Sequence, residues 1–247
     1  MKTFLLHCWQ FTYRAGIFFV LFSVLLVIVL RWLPVGYTPL MFIRYVQCNE
    51  KAKIEHEWIA GSEIPNHLML AVVSTEDQRF LTHHGFDLKE IEKAMDEAEE
   101  GDRHRGASSI SQQTAKNVFL WPTSSFIRKG FEAWFTVLIE LFWSKRHILE
   151  VYLNSIEFGN GIYGCEAAAQ HFFHKSARQL TFAESARLAV VLPAPLRFNA
   201  GSPSGYLIKR QNWALIQMRN RGGILVFPGE TEEHVKVKPK AKSKKKN

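Results

Sequence analysis

The hydrophobic pattern divides the chain into one unbroken apolar stretch and a series of short periodic ones. No charge interrupts Ala15 to Leu30 between Arg14 and Arg31, and the lipid-compatible run extends from Phe11 to Leu33 if both arginines snorkel. Polar positions are too few around its circumference for a helix packed on a soluble body. The pattern therefore predicts a membrane span. A cleaved signal peptide is the competing reading, but Arg31-Trp32-Leu33-Pro34-Val35-Gly36 offers no small-x-small cleavage site. The basic residues on the two sides, Lys2 and Arg14 against Arg31, Arg44, Lys51 and Lys53, leave the orientation open. Residues 34–63 carry scattered aromatics without a period, and nothing is predicted for them.

From Pro65 onward the spacing is helical. Pro65 suits a first helical position, Leu68, Val72 and Val73 form one face, and Glu76 falls near the helix end. Asp87-Leu88-Lys89-Glu90 resembles a capping box opening a structural helix with the stripe Leu88, Ile91, Met95 and Ala98, stopped by Gly101. Residues 101–106 read as an exposed loop. Ser109 or its neighbour caps the next helix, on which Gln113, Lys116 and Asn117 share one polar face. That face is either solvated or a binding surface.

Ser125 to Trp143 predicts a helix with the stripe Phe131, Trp134 or Phe135, Leu138 and Phe142, and with Arg128 and Glu132 as an i, i+4 pair. Eight Phe and Trp residues fall in the 25 positions from Phe119 to Trp143, more than one core stripe requires, which suggests a surface that touches lipid. Ser144 caps a helix through Ile148, Leu149, Tyr152 and Leu153, and the glycines of Phe158 to Gly164 break it with a tight loop. Further helices run from Cys165 to Phe173, from a Thr181/Glu184 capping box to before Pro193, and from about Leu207 to Arg219, ending at Gly222-Gly223. No alternating strand appears, so the fold class is mainly α.

Charge changes this picture little. The net +8 includes the tail lysines 236, 238, 240, 242, 244, 245 and 246; removing these seven from 31 basic residues leaves 24 against 23 acidic ones. The body is nearly neutral, and no nucleic-acid partner is expected. Cys8, Cys48 and Cys165 have no metal-ligand spacing and predict no disulfide. The pairs His83/His84 and His171/His174 lack a third ligand at a telling spacing, so no metal site is expected.

The candidate chemistry lies between Glu76 and Glu132. Five blocks there and downstream, Glu76-Asp77 with Phe80, His83 and Gly85; Gly106 to Asn117; Arg128-Lys129 with Glu132; Lys145 through Ile148-Leu149-Glu150 to Tyr152-Leu153-Asn154; and Arg187 through Leu192 to Pro193, occur in the order and spacing of a known family. Over roughly residues 60 to 225 the chain resembles the peptidoglycan glycosyltransferases of glycosyltransferase family 51, and in particular the monofunctional biosynthetic enzymes of Gram-negative bacteria. Ser108-Ser109 stands where that family usually has Ser-Thr, which keeps the hydroxyl and loses a methyl. The only Ser-x-x-Lys, Ser243 to Lys246, lies in the lysine tail and is no penicillin-binding site.

The resemblance implies a lysozyme-like, two-lobed α-helical domain at residues 62–225. Before it come a short N-terminal segment (1–14), a transmembrane anchor (15–33) and a juxtamembrane connector (34–61); a basic disordered tail (226–247) follows. It implies polymerisation of lipid II into β-1,4-linked glycan with release of polyprenyl diphosphate. Glu76 would be the base and Glu132 a second catalytic carboxylate that positions substrate or stabilises charge. Lys116 and Arg128 would neutralise the leaving group. Asp77, Phe80, His83, Ser108, Ser109, Gln113 and Asn117 complete the implied substrate site. No cofactor is required, and a divalent ion, Mg or Mn, is compatible with the chemistry. Implied partners are lipid II, the growing glycan strand, membrane lipid and wall-synthesis or cell-division proteins. The implied location is the bacterial inner membrane, single-pass, with the catalytic domain in the periplasm. The alternatives carried with it are a lysozyme-like lytic enzyme and a non-catalytic membrane scaffold.

Overall fold

The computed structural model describes residues 2–47, 53–99, 108–123 and 125–233, and within them the chain is mainly α, as expected. The lysine tail from 236, the loop at 101–106 and Cys48 lie outside the described residues. Cys8 and Cys165 are free thiols, and burial pushes that of Cys165 up to about 12.

Helix α1 (Lys2–Val29) is about 42 Å long at 1.5 Å per residue, and its segment Leu6–Val29 is apolar and long enough to cross a membrane. Most of it is exposed, with Phe11 at 75% and Phe18 at 70%. Its C-terminal half is docked rather than tethered. Phe19 meets Phe131 edge-on at 5.4 Å, Trp134 Nε1 donates to Ser23 Oγ at 3.1 Å, and Trp143 Nε1 donates to the Val27 carbonyl at 2.8 Å. Both indoles thus satisfy their one donor inside an otherwise apolar contact.

The connector holds a helix, α2 (Pro39–Gln47), that the sequence pattern did not reveal. Thr38 Oγ1 accepts from Met41 N at 3.2 Å, and Met41 is fully buried while Phe42 and Val46 are exposed. Two adjacent buried positions, Leu40 and Met41, leave no readable period.

A small sheet corrects the expectation of no strands. Its strands β1 (Glu55–His56), β2 (Glu157–Gly159) and β3 (Ile162–Tyr163) stand in the order β1-β3-β2, with β1 parallel and β2 antiparallel to β3. Strands of two or three residues cannot display a period of two, and β2 and β3 are buried throughout. The expected tight loop is their turn. Gly164, at φ 83°, then opens the next helix where a Cβ would lie 2.9 Å from the Asn154 carbonyl.

Helix α3 (Asn66–Glu76) runs through the centre, buried from Leu68 to Ser74 on every side and not only along Leu68, Val72 and Val73. Helix α4 (Leu88–Glu99) departs from expectation in the other direction. Asp87 caps it, accepting from Glu90 N at 3.1 Å, yet Leu88 and Met95 of its apolar stripe are 73% and 62% exposed. Periodicity defines a face but not what covers it.

The remaining helices follow the capping signals: α5 (Ile110–Phe119) behind a reciprocal Ser109/Gln112 box, α6 (Phe126–Phe142) behind Ser125, α7 (Lys145–Ser155) behind Ser144, α8 (Cys165–Phe173), α9 (Phe182–Val191) behind the Thr181/Glu184 box, and α10 (Gly205–Asn220) behind Ser204. They form two groups. Helix α3 packs against α9 and α10, while α5 packs against α6 and α7, with α1 on α6 and α2 on α5. The Asn66 side chain bonds both backbone groups of Leu225, Phe227 is buried, and Arg146 pairs with Glu230 at 2.6 Å, so the packed body reaches Glu230. The aromatic excess is mostly core packing: of the eight Phe and Trp residues, Phe135 and Trp143 are buried, five pack half-buried against the core, and Phe126 is 98% exposed, with the aliphatic Ile127 and Leu141 of α6 exposed at 72% and 71%.

Candidate active site

Glu76 is the last residue of α3, so a largely buried helix delivers a carboxylate to the cleft as its backbone turns away at Asp77. Gln113 Nε2 donates to Glu76 Oε2 at 3.3 Å and to the Ser108 carbonyl at 3.4 Å, and the Tyr152 hydroxyl donates to Gln113 Oε1 at 3.0 Å. Burial raises the Glu76 pKa; the Gln113 hydrogen bond and the Arg210 guanidinium pull it back, and the Asp77 charge pushes it further up. A carboxylate held this way takes a proton more readily than an exposed glutamate. Burial, followed by the charges of Glu76 and Asp77, also keeps the Tyr152 phenol protonated, with its pKa well above the ordinary value.

Beside Glu76 opens a cleft of about 420 Å³, lined by Arg79, Ser108 and Ser109 and, from α10, by Trp213 and Gln217. Sequence reasoning missed the α10 contribution. The period of that helix marks Trp213 only as an apolar position, and nothing local indicates that it faces a carboxylate more than 130 residues upstream. Arg210 lies over the Trp213 ring at 4.4 Å.

Several expected substrate contacts brace this wall. Asp77 accepts from His83 Nε2 at 3.0 Å and from the Ile110 amide at 3.0 Å, which fixes the start of α5 against the end of α3. Ser109 Oγ accepts from Gln112 N and donates to the Gly85 carbonyl. Gly85 itself has φ 88°, and a Cβ there would lie 2.7 Å from Thr136, which accounts for glycine in the first block. Phe80 is fully buried beneath Lys145 Nζ, 4.6 Å from its ring, and neither Phe80 nor His83 lines the cleft. One ligand atom each of Asp77, His83 and Asp87 lies within 4.8 Å of the others, a grouping able to hold a cation. Protein donors already engage both acids, since Asp87 takes Arg79 at 2.8 Å besides the α4 amide. The residues present fit a structural brace better than an ion site.

The second cluster is cationic. Glu132, 3% exposed, accepts from Arg128 Nη1 at 2.6 Å and also pairs with Lys129. The i, i+4 pair of Arg128 and Glu132 is therefore a buried one. Lys116 faces the same group: burial lowers its pKa, Glu132 raises it, and Arg128, Lys129 and Arg44 lower it again. Lys116, Arg128 and Lys129 thus act around one carboxylate, with Arg44, 4.0 Å from Glu157, beyond them, an excess of positive charge suited to an anion. The Arg128 Nε and the Asn117 amide nitrogen are buried donors without a protein partner. Arg44, on α2, was missed because a lone arginine in an aperiodic stretch carries no signal.

Helix α5 joins the two clusters. Gln113 on the carboxylate side and Lys116 on the cationic side are three residues apart, about 4.5 Å along the axis. The Gln113 partner of Glu76 thus stands roughly one helical turn from the cationic side chain of Lys116.

Residues 44–219 match the family model described as transglycosylase. The chain belongs to the transglycosylase family. The matched span opens at Arg44 and takes in both clusters of the site. A relative from Bacteroides thetaiotaomicron, named biosynthetic peptidoglycan transglycosylase, is 52% identical over 233 residues, covering 93% of each chain. Relatives of the same name from Chromohalobacter salexigens and Pseudomonas putida are 49% and 47% identical, covering 85% of this chain and 94% and 90% of their own. The high identity extends beyond the five blocks, so this transglycosylase shares with those proteins the scaffold as well as the motifs.

Proposed function

We propose that this transglycosylase is a membrane-anchored peptidoglycan glycosyltransferase that polymerises lipid II into β-1,4-linked glycan and releases polyprenyl diphosphate. One observation carries the reading: Glu76, a carboxylate of raised proton affinity, is bonded to Gln113, which lies one turn of α5 before Lys116 and the cations around Glu132. Glu76 takes the proton from the attacking 4-hydroxyl of the acceptor. The new C1–O4 bond forms as the bond from C1 to the diphosphate oxygen breaks, with inversion at the α-linked donor carbon. The diphosphate leaves as an anion, so the cations replace the acid that a glycosidase needs. Glu76 then returns its proton to solvent. Glu132 acts by holding Arg128 and Lys129 in place, and the buried donors of Arg128 and Asn117 find acceptors in the diphosphate. A divalent ion, Mg or Mn, would act through the diphosphate oxygens and not through Asp77 and Asp87.

In this reading α1 is the anchor, the site lies in the periplasm of a bacterial inner membrane, and the substrate is met after it has crossed. The exposed Phe126, Ile127 and Leu141 of α6 support contact with that membrane. The pairing of Glu132 with two cations disfavours the lytic alternative, in which the second carboxylate must be free to act as base or nucleophile beside the general acid. Incubating the purified chain with lipid II decides between them. Gel-resolved glycan polymer is expected; no polymer from lipid II, with fragments released from purified peptidoglycan, would establish the lytic enzyme instead.

A further inference from the structure

Helix α10 carries a second stripe beside the one it buries. Leu207, Gln211, Ala214 and Met218 form its core face, whereas Arg210, Trp213 and Gln217, with Arg221 at the cap, follow at i, i+3, i+7 and i+11 on an adjoining face and are each half-buried. This stripe is held against the end of α3. Arg221 Nη2 donates to the Gln78 carbonyl, two residues beyond Glu76, and α10 packs along α3. Arg210 lies over the Trp213 ring at 4.4 Å, an attraction that limits the orientations open to the indole.

What the stripe offers the cleft differs from what the other walls offer. Trp213 and Gln217 line it together with Glu76. Trp134 and Trp143 donate their indole N–H groups within the protein, but among the described residues neither the Trp213 indole nor the Gln217 carboxamide hydrogen-bonds to another protein group. Elsewhere around the cleft the polar groups are engaged: Asp77 holds His83 and the Ile110 amide, Asp87 holds Arg79, and Ser109 bonds the Gly85 carbonyl. An aromatic ring beside unspent donors and an acceptor complements a pyranose. The C–H face of such a sugar packs on the ring, and the hydroxyl and acetamido groups at its rim take the hydrogen bonds. Core packing accounts for a half-buried tryptophan but not for the unspent carboxamide one turn further along the same wall.

The position of the cleft selects which sugar. Lys116 and Arg128 do not line it; they stand beyond Gln113, so a sugar whose diphosphate they hold lies on that side of Glu76. The sugar on the α10 side is the one whose hydroxyl Glu76 deprotonates. We propose that the α10 stripe is the platform for the acceptor: Trp213 stacks on the sugar ring that carries the attacking hydroxyl, and Gln217 bonds the polar rim of that ring, so that the hydroxyl is presented to Glu76. The inference rests on the reading of the chain as a glycan polymerase.

The experiment uses the full chain in detergent micelles and separates the two substrates. One lipid-linked disaccharide has its terminal 4-hydroxyl methylated and can only donate; the other has a methylene in place of the anomeric oxygen and can only accept. Trp213→Leu is expected to raise the acceptor KM about tenfold and to leave the donor KM within about twofold, and Trp213→Tyr to recover most of the loss. Gln217→Ala should raise the acceptor KM about threefold at the wild-type melting temperature. In protein labelled with fluorotryptophan, the fluorine resonance of Trp213, assigned by its absence from Trp213→Tyr, should shift with the acceptor analogue and not with the capped donor. Folded variants that keep the wild-type acceptor KM would overturn the proposal. So would equal rises in both KM values, the sign of a cleft merely deformed, or a resonance that follows the donor. A wild type that transfers nothing between this pair would count against the polymerase reading, and the resonance would still judge the platform, since no shift with the acceptor analogue overturns it.

Discussion

Glu76 and Glu132 are both drawn away from water, and their surroundings give them opposite properties. Glu76 has one amide donor at 3.3 Å and a more distant guanidinium, too little to offset burial, so its proton affinity rises. Glu132 is held directly by Arg128 and Lys129, with the Lys116 charge beyond them. One carboxylate is left reactive, and the other is spent on keeping cations together where like charges would repel. Burial does not by itself mark a catalytic acid or base; the balance between burial and compensating charge does.

The comparison is broken most severely by Glu76→Gln. The amide keeps size and hydrogen bonding but accepts no proton, so polymerisation of lipid II should fall by at least about 100-fold while lipid II binding survives. Near wild-type turnover from the folded variant would remove Glu76 from the role of base. Lys116→Ala withdraws a charge from the leaving diphosphate and should lose on the order of 3 kcal/mol of transition-state stabilisation, read as kcat/KM, with the fold intact by circular dichroism.

Stability sharpens the comparison, because the two acids should respond with opposite sign. Glu76 has its folded pKa raised from the ordinary 4.5, so its ionisation costs stability as pH rises through the folded value. Glu76→Gln should therefore melt higher than wild type at neutral pH, and the gain should vanish below about pH 4.5, where both states are protonated. Glu132→Gln leaves two cations without their partner and should lose about 2 kcal/mol in urea unfolding, below the usual figure for a buried pair because Lys129 is half exposed. Equal signs for the two substitutions would erase the distinction.

A smaller effect is expected at Gln113. Its hydrogen bond lowers the Glu76 pKa, so Gln113→Ala should shift the acid limb of the pH–rate profile to higher pH, leaving a deficit of about threefold at the plateau. Deleting residues 236–247 should change turnover in detergent least. Seven lysines with only Val237, Pro239 and Ala241 as apolar neighbours offer too little apolar surface for a core and would act only as an attraction for anionic lipid or wall polymer.

Much of the fold and part of the site were legible in the residues. The Ser109/Gln112 and Thr181/Glu184 boxes and the Ser144 cap are contacts of three residues' separation, and the helices begin where they indicate. The placing of Glu76 at a helix end, and of Gln113 and Lys116 on one stretch of α5, was equally local. Other positions misled. Leu88 and Met95 form a sound apolar stripe with little packed on it, and Arg44 belongs to a helix with no readable period.

What the sequence by itself determined is therefore the set of helices apart from α2, most of their ends, the membrane-length apolar run and the order of the chemical groups along the chain. These depend on interactions within one or two turns, where residue type and spacing suffice. Only the tertiary structure decided that Arg210 and Trp213 face Glu76, that Arg44 joins Lys116, and that Trp134 and Trp143 clasp α1 at Ser23 and Val27. Each of these meetings spans roughly 70 to 140 positions of chain. Such contacts come from many weak packing terms acting together, and no short stretch of residues encodes them.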